Sequence, residues 1–259
     1  MRVSIAAVFL LVVMRCQNAQ FPKGWTMWRM LLIQSLFNSI APWTLLAWGQ
    51  HYVDSGLAGV LNSTSPIFVF FVTLLFTHHE AVTAWKLAGA LLGMVGVVLI
   101  VGLDALRGAG QELAGQSAVL LAAVLYALAA INGKRFSSIS PTVTAAGTMV
   151  WAMVCLVPLS LAVDRPWTLN PSAVSVTAAI VLALFCTGVA LLLYFRLVRT
   201  IGSMGVTSQS YLRAGISVLL GIFVLGEQIT LAMSLGLVAI VLSVAAINFP
   251  APAFSTPRR

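Results

Sequence analysis

Arg213 has the strongest claim on chemistry in this chain. It stands about ten residues from either end of the apolar run Met204–Leu225, too deep for its side chain to reach a membrane surface. An arginine at mid-helix costs about 2.5–3.5 kcal/mol on insertion scales, so it calls for compensation. Two readings are open. The guanidinium pairs with a carboxylate or phosphate on a substrate, or carbonyls and amides such as those of Gln209 and Asn62 satisfy it. No acidic residue lies inside an apolar run, which favours the first reading. Gln209 and Tyr211, beside Arg213, are candidate hydrogen-bonding partners for the same substrate.

A second polar patch interrupts the run Gly56–Phe76, as Asn62-Ser63-Thr64-Ser65-Pro66. Proline removes a helical hydrogen bond and frees a carbonyl. A broken helix lining a cavity is expected here, with the freed carbonyl, Asn62 and Ser65 available to a ligand. The competing reading is close helix packing through small hydroxyl residues. Gln34 and Asn38 lie four apart in Met30–Trp48, and Tyr126 lies in Gly115–Ile131. These three either line the same cavity or bond between helices.

One offset relates the two patches. Glu80, Thr83 and Gly89 recur 147 positions later as Glu227, Thr230 and Gly236. The same offset carries Asn62, Ser63 and Pro66 onto Gln209, Ser210 and Arg213. Residues four apart share a helix face, so Asn62/Pro66 and Gln209/Arg213 form matched faces. A two-fold axis in the membrane plane would bring both near the bilayer centre. Glu80 and Glu227 sit at run ends, where they either couple protons or cap the following helix, and capping is the expected role. Gly89, Gly93 and Gly96, with Gly236 and Ser243, read as close helix packing.

The elements that must position these residues are membrane helices. Hydrophobic residues make up 60% of the chain and charged residues only 8%, too little charge to cover a soluble domain of this size. Nine apolar runs are expected as spans: Val3–Met14, Met30–Trp48, Gly56–Phe76, Trp85–Leu103, Gly115–Ile131, Thr142–Val163, Ala173–Phe195, Met204–Leu225 and Thr230–Phe249. The fold class is an all-α polytopic bundle. The short alternating segments of a β-barrel are absent.

The net charge of +8 is a topology signal rather than a nucleic-acid footprint. With alternating crossings, ten basic residues (Arg15, Lys23, Arg29, Lys86, Lys134, Arg135, Arg196, Arg199, Arg258 and Arg259) fall on one side. Arg2, Arg107 and Arg165 fall on the other, with five of the six acids. The richer side is cytoplasmic and holds the C-terminus. Cys16, Cys155 and Cys186 lack paired spacing, and His78-His79-Glu80 is not a zinc signature. No metal and no cofactor are expected. No nucleophile–base pair occurs at membrane depth, which argues against an enzyme.

The first run is too short for a full crossing, and no convincing cleavage site marks it as a signal peptide. An upstream helix is therefore expected, which would make ten spans in two halves of five. An odd number of helices per half inverts the second copy, the plan of many secondary transporters. The expected organisation is a first repeat over 1–104, a second over 115–249 and a disordered tail over 250–259.

Ser55-Gly56-Leu57-Ala58-Gly59-Val60-Leu61-Asn62-Ser63-Thr64-Ser65-Pro66-Ile67-Phe68, followed by Glu80 and Gly89, resembles the EamA domain of the drug/metabolite transporter superfamily. Gly226-Glu227 is similar to that domain's usual Gly-Glu pair. The resemblance covers nearly the whole chain as two repeats. It implies ten helices, inverted repeats, a central cavity and an inner-membrane setting. Arg213 departs from the proline common in the second repeat, and His79 from the glycine before Glu80. The function expected is export of a small metabolite, amino-acid-like or an organic anion, by alternating access. Arg213, Gln209, Tyr211, Asn62, Ser65, Pro66 and Asn38 are its candidate contacts. The alternative is an N-terminally truncated protein that does not transport. Expected partners are a small-molecule substrate and the lipid bilayer, with homodimerisation an option and nucleic acid none.

Overall fold

The computed structural model describes residues 1–76, 83–102, 106, 112–163, 171–225 and 230–249. The described residues form helices and their connections, with no strand among them. In chain order the helices are α1 (Arg2–Cys16), α2 (Trp25–Ser35), α3 (Ala41–Gly49), α4 (Ser55–Asn62), α5 (Ser65–Phe76), α6 (Ala84–Val101), α7 (Leu113–Gly133), α8 (Pro141–Val163), α9 (Ala173–Ala183), α10 (Ala190–Thr207), α11 (Gln209–Leu225) and α12 (Leu231–Asn248). Wide π-helical turns, Leu36–Ile40 and Leu184–Val189, join α2 to α3 and α9 to α10.

Seven helical segments among the described residues, some of them interrupted, are long and apolar enough to cross a bilayer. Nine crossings were expected. The difference lies in α1, with 15 residues, and α11, with 17.

The 147-residue offset is visible in the helix boundaries. Shifting α6 by 147 gives the bounds of α12, and each helix has 18 residues. Both begin on a threonine N-cap. The backbone N–H of Lys86 donates to Thr83 Oγ1 at 3.4 Å, and that of Met233 to Thr230 Oγ1 at 3.2 Å. Each threonine hydroxyl thereby satisfies an orphan N–H of the first turn. Glu80 and Glu227 lie outside the described residues, as does the tail 250–259. The two π turns correspond within two residues, and α1 ends where α8 ends at the same offset.

The helices gather into two compact units. Neither unit is a sequence half: each draws residues from before and after the middle of the chain. The first comprises Met1–Thr44 and Leu128–Gly202. Within it α1 packs on α8, its repeat counterpart. The two run antiparallel, since Thr142 at the start of α8 donates to Gln17 just after the end of α1 at 2.8 Å. Gln34 Nε2 donates to the Ala129 carbonyl at 3.0 Å, and Asn132 Nδ2 donates to Gln34 Oε1 at 2.8 Å. Ser35 Oγ donates to the Thr148 carbonyl at 2.7 Å. Gln34, left open between cavity and helix bonding, thus ties α2 to α7.

The second unit comprises the described residues of Leu45–Ala127 and Ser203–Arg259. Its centre is the α6–α12 pair. Gly89 lies against Ala246 and Ile247, and Gly96 against Gly236 and Ile240. As one residue number rises the other falls, so the helices are antiparallel. The contacts are symmetric under the repeat, because Gly89/Ser243 is the image of Gly236/Gly96. Small residues allow this approach, and the inverted duplication makes it self-complementary.

Candidate functional site

Both candidate patches lie in the second unit, and each is a helix break. In the first copy α4 ends at Asn62 and α5 begins at Ser65. Pro66 is the second residue of α5, where its missing N–H is harmless. The break is closed from within. Ser63 Oγ donates to the Gly59 carbonyl at 2.8 Å, and Thr64 Oγ1 to the Leu61 carbonyl at 2.6 Å. Ser65 Oγ donates to the Asn62 carbonyl at 2.8 Å.

That last bond changes the expected chemistry. A proline at 66 deprives the Asn62 carbonyl of its helical donor. The Ser65 hydroxyl takes one of the two acceptor positions of that carbonyl, an adjustment common where membrane helices break. The atom left without a partner is a side-chain one. Asn62 is 7% exposed, and its Oδ1 has no hydrogen-bond partner. An unsatisfied buried acceptor costs about 1–3 kcal/mol, which a donor on a ligand would recover.

The second copy breaks too, although it has no proline. The chain bends at Gly202, which takes φ 80°, and the helix is interrupted again at Ser208 before α11. Thr207 Oγ1 donates to the Ser203 carbonyl at 3.0 Å, Ser208 Oγ to Gly205 at 2.7 Å and Ser210 Oγ to Thr207 at 2.9 Å. Three hydroxyls close each break. Ser210, the repeat image of Ser63, plays the same part. Sequence reasoning missed this break because proline was its only signal. The run of Thr207, Ser208 and Ser210 behind Gly202 was the available one.

The remaining candidates separate by burial. Tyr211 is fully buried and its hydroxyl donates to the Ala90 carbonyl at 2.8 Å, fastening α11 to α6. Its ring packs over Gly93, where a Cβ would come within 2.6 Å of it. Gln209 and Arg213 are exposed, and Arg213 has no hydrogen-bond or ion-pair partner among the described residues. The structure thus brings Asn62, Ser65 and Pro66 together in one break, and Gln209, Tyr211 and Arg213 onto the start of α11. Both breaks use α6 as a packing partner, through α4, α5 and α11.

Asn38 belongs to the first unit. It lies buried in the π turn, with Nδ2 3.3 Å from Ser39 Oγ. The corresponding turn in the second copy holds Thr187, whose Oγ1 donates to the Leu182 carbonyl five residues back and accepts from Arg2 Nε at 2.8 Å. Arg2 also sits over the Trp43 ring, 5.2 Å from its centroid. π turns open the backbone at functional positions in many helices, and neither turn was legible in the sequence. Among the described residues no group of three or more His, Cys, Asp or Glu side chains could hold a metal.

The EamA-like transporter family matches residues 1–102 and 113–249. "Uncharacterized transporter YoaV" of Bacillus subtilis is 25% identical, over 91% of this chain and 81% of that protein. "Uncharacterized inner membrane transporter YedA" of Escherichia coli K12 is 24% identical, over 97% and 82%. "Protein PagO" of Salmonella typhimurium is 27% identical, over 76% and 65%. A solved crystal structure superposes with a TM-score of 0.81 at 17% identity, covering 95% of this chain and 84% of the other. With helices throughout the described residues, repeats in inverted register and two family matches that take in nearly all of its length, the chain is a multi-pass membrane protein of the EamA-like transporter family.

Proposed function

We propose that this protein exports a small metabolite bearing an anionic group, of amino-acid or organic-acid type, by alternating access. The observation that carries the reading is the pairing of an unmet need at each break. Asn62 Oδ1 is buried without a donor, and Arg213 has no anion among the described residues. An amino-acid-like substrate supplies both, an N–H for the amide oxygen and a carboxylate for the guanidinium. Gln209 extends the polar face of Arg213, Ser65 holds the Asn62 backbone, and Tyr211 holds the start of α11 against α6. Rocking of repeat-related elements about self-capped breaks would supply the alternation. The inner membrane, with a cytoplasmic C-terminus, is the proposed setting.

The test is efflux from cells expressing the chain, loaded with labelled amino acids and organic acids. Arg213→Ala should abolish efflux of the anionic substrate with the membrane level of the protein unchanged, and Asn62→Ala should weaken it. Unaltered efflux by Arg213→Ala would remove the anion assignment.

A further inference from the structure

We propose that a basic groove on the first unit binds the phosphate headgroup of an anionic phospholipid. The groove has a volume of about 560 Å3 and lies between the first half of α10 and the start of α8. From α10 come Arg196, Arg199 and Thr200; opposite them stand Gln17, Ser140 and Thr142. Among the described residues no acidic side chain lines it, and both arginines are exposed. Two exposed guanidiniums in one groove suit a phosphate, since each presents a fork of donors matched to its oxygens. The groove is also braced, because Thr142 Oγ1 donates to Gln17 Oε1. The 23-residue α8 begins here at Pro141, and the free N–H groups of its first turn favour negative charge.

The remaining lining selects a lipid over a free anion. Leu192 and Leu193 complete the groove. Leu192, Arg196 and Arg199 follow the i, i+4, i+7 spacing of one helix face, and Leu193 is half-exposed. A soluble phosphate has no use for an apolar wall one turn from the arginines. A phospholipid places a phosphate and acyl chains at that separation. The depth agrees, since the apolar part of this helix ends near Phe195 and the arginines follow at headgroup level. The site belongs to different residues from the Asn62 and Arg213 breaks and does not depend on what the protein transports.

Native mass spectrometry of the detergent-solubilised chain, titrated with phosphatidylglycerol or with phosphatidylcholine of the same acyl chains, tests the proposal. Phosphatidylglycerol should be retained preferentially. Arg196→Gln/Arg199→Gln should lower its affinity about twenty-five-fold, taking roughly fivefold per arginine at a membrane surface. Arg199→Gln alone should lose about fivefold on the same scale, Arg196→Lys/Arg199→Lys should bind more weakly than wild type but better than the glutamine pair, because the charge stays and the fork is lost, and Arg29→Gln should leave binding unchanged. Phosphatidylglycerol should also raise the melting temperature of the wild type but not of the double glutamine variant. Equal retention of the two lipids, wild-type retention by the double variant, or the same loss in Arg29→Gln would overturn the proposal. Binding of inorganic phosphate that displaces the lipid would overturn it in favour of a soluble-anion site.

Discussion

Gly96 and Gly236 meet backbone to backbone. A Cβ on Gly96 would lie 2.9 Å from the Gly236 carbonyl oxygen, and one on Gly236 2.8 Å from the Gly96 carbonyl oxygen. The obstruction is main chain in both directions, so no side-chain rotamer relieves it. The α6–α12 contact, which joins one repeat to its image, depends on two missing methyl groups.

Gly96→Ala or Gly236→Ala should therefore destabilise the protein by about 1–3 kcal/mol through helix displacement. Either change obstructs the same contact, so the double variant should cost less than the sum of the two. Thermal unfolding in detergent, followed by circular dichroism, measures both. Unchanged melting in either single variant would contradict the packing described.

Tyr211 separates packing from substrate contact. Its hydroxyl is engaged by the Ala90 carbonyl, so Tyr211→Phe should lose about 0.5–1.5 kcal/mol of stability, the net worth of one hydrogen bond. Transport per correctly inserted molecule should stay close to wild type. A variant as stable as wild type but defective in efflux would place the hydroxyl on the substrate instead.

Gln34 bridges the Ala129 carbonyl and the Asn132 amide. Gln34→Leu should cost about 1–3 kcal/mol by leaving Asn132 unmatched, whereas adding Asn132→Leu should restore part of the loss, because removing both partners strands no side-chain group. A double-mutant cycle on thermal or denaturant unfolding gives the coupling. Strict additivity would show that the bond contributes nothing.

The break at Asn62–Pro66 was legible because proline and four polar residues cannot sit quietly in an apolar helix. Its counterpart at Ser208 was not, since Ser and Thr are tolerated in membrane helices and only the fold shows which ones bond backwards. The chemistry of the first break is only partly legible for a related reason. Proline announced a free carbonyl, but whether Ser65 bonds to it depends on a rotamer. Arg213 and Asn62 remained legible as groups in need of partners, whereas Tyr211, equally polar in sequence, is committed to Ala90.

The sequence by itself determined the class, the duplication and the register. Apolar runs reflect contact with hydrocarbon, a local property, and the 147-residue offset set α6 and α12 residue for residue. Only the tertiary structure decided that α1 pairs with α8 and α6 with α12, that the compact units draw on both halves of the chain, and that two π turns interrupt long helices. In a bilayer a leucine facing lipid and one facing another helix are equally apolar. Partner choice therefore rests on shape and on a few small residues, which a hydropathy pattern does not record.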